Sequence, residues 1–203
     1  MAPRPARPGS KPTPQSSLRI IAGQWRGRRL QFPTIDGLRP TPDRVRETLF
    51  NWLMPVIAGT RCLDLFAGSG ALGLEALSRG AAAATFVDQS TQVKQSILAN
   101  LHLLGCEQAQ VYAADTLNWL QHPPQGAGPY DLVFLDPPFR KDLLKACAAR
   151  LEEQSLLRDQ AWIYIEAEQE LRSLPVPDNW RLHRHKIAGQ VQYALFQREL
   201  PAS

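Results

Sequence analysis

The sequence predicts an α/β fold, in which a mostly parallel sheet of seven strands carries helices on both faces and ends in an antiparallel hairpin. Three observations carry that prediction. From residue 61 to residue 166, apolar runs alternate with segments of helical period, and repeated strand–helix units imply a parallel sheet covered on both sides. Two of the apolar runs, Cys62-Leu63-Asp64-Leu65-Phe66 and Leu132-Val133-Phe134-Leu135, end in polar turns, Ala67-Gly68-Ser69-Gly70 and Asp136-Pro137-Pro138-Phe139. The last two extended runs, 179–187 and 191–198, meet at Gly189-Gln190 as a hairpin, which adds an antiparallel edge.

Each element has its own signal. Residues 1–17 are rich in Pro, Ser and Arg without apolar periodicity and read as a disordered basic tail. Runs 18–22 and 28–32 flank Gly23-Gln24-Trp25-Arg26-Gly27, a β-hairpin with a basic, Trp-bearing tip. Thr41-Pro42 opens a helix, with Thr as its cap and Pro in its first position. Val45, Thr48, Leu49, Trp52 and Leu53 then recur at helical spacing until Pro55,. Residues 18–55 therefore form a hairpin-and-helix extension, ahead of a main domain at 56–200.

Within the main domain, strand 61–66 leads into helix 71–79, and strand 84–88 into helix 90–104, where Val93, Ile97, Leu101 and Leu104 share a face and Gly105 is a ready stop,. Strand 109–113 precedes a short helix near 115–121. Strand 131–135 precedes a helix at 141–151, and strand 161–166 comes before the closing hairpin.

Composition narrows the class. With 203 residues and 44% hydrophobic content, the chain can bury one good core. No apolar stretch approaches the roughly 20 residues of a membrane helix, and the start lacks the apolar core of a secretory signal. The cysteines Cys62, Cys106 and Cys147 are far apart, which suits buried thiols in a reducing compartment. The histidines have no metal-ligand spacing. The expectation is a cytoplasmic, metal-free protein. Residues 1–50 hold nine Arg and one Lys against Asp36, Asp43 and Glu47, a local charge of +7, within a chain whose net charge is +4. A phosphate-rich partner would explain that asymmetry, and so would a solvated basic tail.

The glycine turn admits two cofactors. Gly68-Ser69-Gly70-Ala71-Leu72-Gly73 satisfies G-x-G-x-x-G between a strand and a helix, and Asp88 follows Gly68 by 20 residues. That is a dinucleotide fingerprint, and it keeps an NAD-dependent oxidoreductase open. Asp64, just ahead of the turn, tilts the choice. A carboxylate there repels a pyrophosphate and suits the ammonium or sulfonium of S-adenosylmethionine. Asp88 would hold the ribose diol. Asp115 would accept from the adenine amine, or simply cap the next helix.

Asp136-Pro137-Pro138-Phe139 supplies chemistry. An exocyclic base amine is a poor nucleophile because its lone pair is delocalised into the ring. The Asp136 carboxylate and the Pro137 carbonyl can accept its two N–H groups and draw the nitrogen toward a tetrahedral shape. Proline offers a fixed φ and no competing donor, and Phe139 can stack on the base. Such a base must be unpaired or flipped out. The bland alternative is a turn that merely ends a strand.

These residues resemble the amino-methyltransferases of exocyclic base nitrogens. Three longer stretches narrow the resemblance: Arg19-Ile-Ile-Ala-Gly-Gln-Trp-Arg-Gly-Arg-Arg-Leu30, Leu38-Arg-Pro-Thr-Pro-Asp-Arg-Val-Arg-Glu-Thr-Leu-Phe-Asn-Trp-Leu53 and Gly68-Ser-Gly-Ala-Leu-Gly-Leu-Glu-Ala-Leu-Ser-Arg79. With Lys186-Ile-Ala-Gly-Gln-Val191, they are similar to the bacterial 16S rRNA guanine-N2 methyltransferases, the family of the small-subunit methyltransferase D type, over residues 18–199. The resemblance implies a class I methyltransferase (Rossmann-like) fold and S-adenosylmethionine as cofactor. It also implies a guanine of 16S rRNA as target, within a 30S subunit or assembly intermediate. That family often has Glu at the position of Asp88. Carried over, Asp136, Pro137 and Phe139 form the catalytic turn, and Asp64, Phe66, Gly68, Ser69, Gly70, Asp88 and Asp115 line the cofactor. Arg26, Arg28, Arg29, Arg39 and Arg44 are the expected RNA contacts, with Trp25 a weaker candidate for base stacking. A monomer is expected.

Other readings stay open. A DNA or RNA adenine-N6 methyltransferase would use Asp-Pro-Pro-aromatic equally well, although the chain has no room for a sizeable DNA target-recognition domain. A catalytically silent RNA-binding module would bind RNA without methyl transfer.

Overall fold

The computed structural model describes residues 15–35 and 41–199. β1 (Gln15–Arg19) and β2 (Arg29–Pro33) pair antiparallel, with Leu18 opposite Leu30, and α1 (Asp43–Leu53) follows. The main sheet then builds through β3 (Arg61–Leu65), α2 (Ala71–Ser78), β4 (Ala83–Asp88), α3 (Thr91–Leu104) and β5 (Ala109–Ala113). It continues through α4 (Thr116–Gln121), β6 (Tyr130–Leu135), α5 (Leu143–Glu153), β7 (Leu157–Glu168), β8 (Trp180–Ala188) and β9 (Val191–Arg198). Its seven strands run in the order β5-β4-β3-β6-β7-β9-β8. Only β9 opposes its neighbours, β7 and β8.

Alternation along the strands divides the core. Cys62, Phe86, Phe134 and Tyr164 face α1, α2, α3 and the N-terminal hairpin. Leu63, Leu65, Val133 and Ile163 face α4 and α5. Each fully buried large aliphatic or aromatic side chain contributes about 1.5–3 kcal/mol, so both faces hold the sheet against helices. Local caps act as read from sequence in α3: Ser90 accepts from the Val93 amide, and Gly105 ends the helix in the left-handed conformation.

Three boundaries differ from expectation. β1 begins at Gln15, inside the stretch assigned to the tail, and stops at Arg19. It stops there because the amides of Ile21 and Ala22 leave the hairpin and donate to the buried Glu75 carboxylate, at 2.8 and 3.0 Å. Glu75 also accepts from Arg79 Nε at 2.7 Å, which fastens the loop to α2. The second difference is at α1, which starts at Asp43 with Pro42 in the cap position and no side-chain cap; Thr41 bonds elsewhere. The third is β7, which starts at Leu157 and takes a register shift against β6. Its polar opening, Arg158-Asp159-Gln160, conceals the strand.

Candidate active site

β3 and β6 flank the point where the sheet order reverses: the chain adds β4 and β5 on one side and β7 on the other. Ligands of open α/β sheets bind at such a point, beyond the carboxyl ends of the strands. β3 and β6 are parallel neighbours, with Leu65 opposite Leu135. Adjacent strands lie about 4.8 Å apart, so the glycine turn and the Asp136 turn leave the sheet side by side.

The glycine turn is tightly wound. Phe66, Gly68 and Gly70 have φ of +66°, +53° and +75°. Gly70 donates to the Ala67 carbonyl at 2.7 Å and opens α2 without a side-chain cap. Phe66 is the costly member, because a bulky residue in this conformation is strained. Ser69 is buried. Gly73 serves the packing of helix on strand: a Cβ there would lie 2.3 Å from Cε1 of Phe86.

That close approach lets the Gly73 amide donate to Asp64 Oδ2 at 2.9 Å. Asp64 is 3% exposed. Burial pushes its carboxyl up to about 8 despite the Gly73 bond, and the charges of Asp88 and Glu166 add to the rise. An amide of the helix N-terminus is already taken by the Asp64 carboxyl and is not free for a pyrophosphate at that place,. A cation held beside Asp64, in contrast, would restore its ionised form.

Asp88 braces the same turn. Its Oδ2 accepts from the Gly68 amide at 2.9 Å and its Oδ1 from the Ser90 amide at 2.8 Å. Each carboxylate oxygen retains a lone pair for a further donor. Asp115 caps α4 by accepting from the Asn118 amide at 2.9 Å, and its other oxygen faces the exposed surface.

On the β6 side, Asp136 is partly open to solvent and Pro137 is buried. Burial, then the charges of Glu166 and Asp64, hold the Asp136 carboxyl well above the usual range. Phe139 is 40% exposed, an aromatic face free for stacking. The Arg140 amide donates to Glu168 Oε1 at 3.1 Å and ties the turn to the end of β7.

Glu166 is a site residue that the sequence analysis does not single out. It is buried one rung beyond the Leu135–Ile165 pair, beside Asp136. Its Oε1 accepts from Thr41 Oγ1 at 2.8 Å and from the Tyr164 hydroxyl at 2.9 Å. The rule that marks Asp64, Asp88, Asp115 and Asp136, an acid at the end of an apolar run, applies equally to Trp162-Ile163-Tyr164-Ile165-Glu166.

The expected RNA contacts are not gathered at this rim. Arg26, Arg28 and Arg29 are exposed, but their loop packs on the far end of α2, where the Gln24 amide donates to the Ser78 carbonyl at 2.8 Å. Eight residues of helix separate that end from the glycine turn, about 12 Å along the axis. Trp25 is half-buried against the core, in the same loop. Arg44 is exposed at the start of α1, close to Thr41 and the site. Arg39 lies outside the described residues. A cleft of about 520 Å³ between Trp25, Ser78 and Cys106 opens at the far rim. That cleft lies away from the carboxyl ends of β3, β4 and β6, where Asp64, Asp88 and Asp136 gather. Among the described residues no group of His, Cys, Asp and Glu is placed to hold a metal ion, and no helix is long and apolar enough to cross a membrane.

Residues 18–197 match the family described as conserved hypothetical protein 95. The chain is 53% identical over 182 residues to the ribosomal RNA small subunit methyltransferase D of Escherichia coli, covering 90% of each chain. It is 47% identical over 188 residues to the protein of that name from Haemophilus influenzae, covering 92% of this chain and 96% of the other. A solved structure described as a putative methyltransferase from Escherichia coli superimposes with a TM-score of 0.81 at 52% identity, covering 92% of this chain and 100% of that one.

Proposed function

The chain belongs to the conserved hypothetical protein 95 family, whose relatives at 47–53% identity are ribosomal RNA small subunit methyltransferases D, and from that premise we propose that it methylates the exocyclic N2 amine of one guanine in 16S rRNA. S-adenosylmethionine is the methyl donor. The observation that carries this reading is the Asp136 turn standing beside the glycine turn at the reversal point of the sheet.

The residues fit the donor. Asp64 is a buried carboxylate whose charge only a nearby cation would make favourable,. Asp88 keeps lone pairs for ribose hydroxyls while it holds Gly68 in place, and the open oxygen of Asp115 can accept from an adenine amine. When bound, S-adenosylmethionine supplies an electrophilic methyl on a sulfonium sulfur.

The other half of the cleft prepares the amine. The Asp136 carboxylate and Pro137 carbonyl accept its two N–H groups and localise the nitrogen lone pair toward the cleft. In the free chain burial, and then the charges of Glu166 and Asp64, favour the protonated form of Asp136; a cation held beside it favours the ionised acceptor. Phe139 stacks on the base, a contact worth about 1–3 kcal/mol. Holding donor and amine in line supplies roughly 7–11 kcal/mol of the barrier, so positioning is the main catalytic device. The guanine reaches the cleft unpaired or flipped out. We place the reaction in the cytoplasm, on a 30S subunit or assembly intermediate, with the enzyme a monomer.

Replacing Asp136 with Ala tests the assignment. Methyl transfer is lost while donor affinity, measured by calorimetry, stays within a few fold. Equal loss of both would make Asp136 a cofactor residue. Mass spectrometry of nucleosides from methylated rRNA identifies the base, and N6-methyladenosine in place of N2-methylguanosine would overturn the guanine assignment.

A further inference from the structure

We propose that the edge strand β8 is a second contact surface for the RNA backbone, through Arg184 and Lys186. This rests on the proposed rRNA methylation and extends it to a part of the chain that the methyl-transfer chemistry does not use.

Every residue of β8 after Trp180 is exposed. The strand carries Arg181, His183, Arg184, His185 and Lys186 and no acid. Arg181 pairs with Glu199 at 3.2 Å. Among the described residues, Arg184 and Lys186 have no carboxylate partner. Strand register places them relative to the site. Lys186 is opposite Tyr193, and Tyr193 is opposite Glu166, which stands beside Asp136. Residues directly opposite one another share a face of the sheet, so Lys186 stands on the face and rung of Asp136, with Arg184 one side-chain repeat behind it. Three strand spacings separate β6 from β8, about 14 Å.

The intervening surface carries both signs, with exposed Asp142 and Glu170 and half-buried Glu168 beside two cations. Arg140 and Lys141 are exposed just after the Asp136 turn. The Arg140 amide bonds Glu168, and the Gln169 amide donates to the Gln190 carbonyl at 2.9 Å. The Asp136 turn is thus linked through Glu168 and Gln169 to the β8–β9 turn. Exposed cations stand at both ends of this rim, Arg140 and Lys141 beside the Asp136 turn and Arg184 and Lys186 on the edge strand, whereas Arg26, Arg28 and Arg29 sit at the other rim. A polyanion with one base at the Asp136 turn is the partner whose charge complements two separated cationic clusters. Basic residues and a bulge also keep edge strands from pairing with other chains, and the register shift between Leu182 and Arg184 is such a bulge. The experiment separates the two roles.

Binding of the full chain to transcribed 16S rRNA is measured over a range of salt for wild type, for Arg184→Gln with Lys186→Gln, and for Arg184→Glu with Lys186→Glu. Each lost single-strand phosphate contact lowers the slope of log affinity against log salt by about 0.7, so the Gln pair lowers it by about 1.4 and raises KM for RNA more than it lowers kcat. Donor affinity and melting temperature of the Gln pair stay at wild-type values, which identifies a folded variant. An unchanged slope overturns the proposal, and an unchanged slope with new aggregation assigns the strand to edge protection. Loss of methyl transfer is a separate outcome: a slope lowered in the Gln pair, with a wild-type protein that methylates 16S rRNA neither naked nor within a 30S subunit, would leave the surface standing and remove the enzyme.

Discussion

The Thr41 hydroxyl donates to Oε1 of Glu166 at 2.8 Å across 125 positions of sequence. The bond joins the start of α1 to the end of β7, on the rim that carries Asp136. Both residues are buried, so neither end of the bond is exchanged freely with water. The N-terminal extension is thereby tied to the active-site rim at one end and, through Glu75, to the far rim at the other.

Thr41→Val leaves Glu166 with the Tyr164 hydroxyl as its remaining donor. Losing one of the two hydrogen bonds to this buried oxygen costs about 0.5–1.5 kcal/mol, which denaturant unfolding would register as a lower midpoint at constant slope. Thr41→Ser should recover most of it. If Val is as stable as wild type, the bond is incidental to the placement of α1.

Gly73→Ala forces a methyl group against the Phe86 ring. Overpacking of this kind costs about 1–3 kcal/mol, and lifting α2 would also lengthen the Gly73–Asp64 bond. Both stability and donor affinity should fall. Phe86→Leu combined with Gly73→Ala should restore part of each, because the two sites share the clash. Additive losses in the double variant would contradict that account.

The pH dependence follows from Asp64. Its carboxyl is raised by burial from 3.8 to about 8, so the group supports folding fully below its unfolded value, and that support is lost as pH rises through 8. The free protein should melt at a lower temperature at pH 8 than at pH 6, and Asp64→Asn should flatten that fall. Asp136 and Glu166, raised in the same direction, leave a residual slope. A cationic donor favours the ionised form, so its affinity should rise over the same window with proton release. Calorimetry in two buffers of different ionisation enthalpy reads that release directly, and its absence would remove Asp64 from contact with the charge.

Glu75→Gln tests the anchor of the hairpin. One amide oxygen cannot serve the Ile21 and Ala22 amides together with Arg79. Breaking a buried charged cluster of this type costs about 3–5 kcal/mol. Hydrogen exchange should quicken over the loop at residues 20–28 before it quickens in β3 or β6. Uniform quickening would mean that the hairpin does not detach as a unit.

What the chain determines by itself is local. Apolar period, the Ser90 and Gly105 caps, the glycine turn and the diproline turn each depend on residues within a few positions, so the main-sheet elements and most acids of the cleft are legible. Tertiary structure decides everything that depends on register and rim. Thr41 reads as a helix cap because a hydroxyl ahead of Pro42 has an amide nearby; it bonds Glu166 because the sheet brings a buried, stronger acceptor within reach. Glu166 obeys the rule that marks the other acids, but its place beside Asp136 comes from the β6–β7 register. Arg26, Arg28 and Arg29 are basic in any conformation, yet their distance from the cleft is set by Glu75, which fixes their loop to the far end of α2. Charge and period are properties of a segment, whereas proximity belongs to the packed sheet.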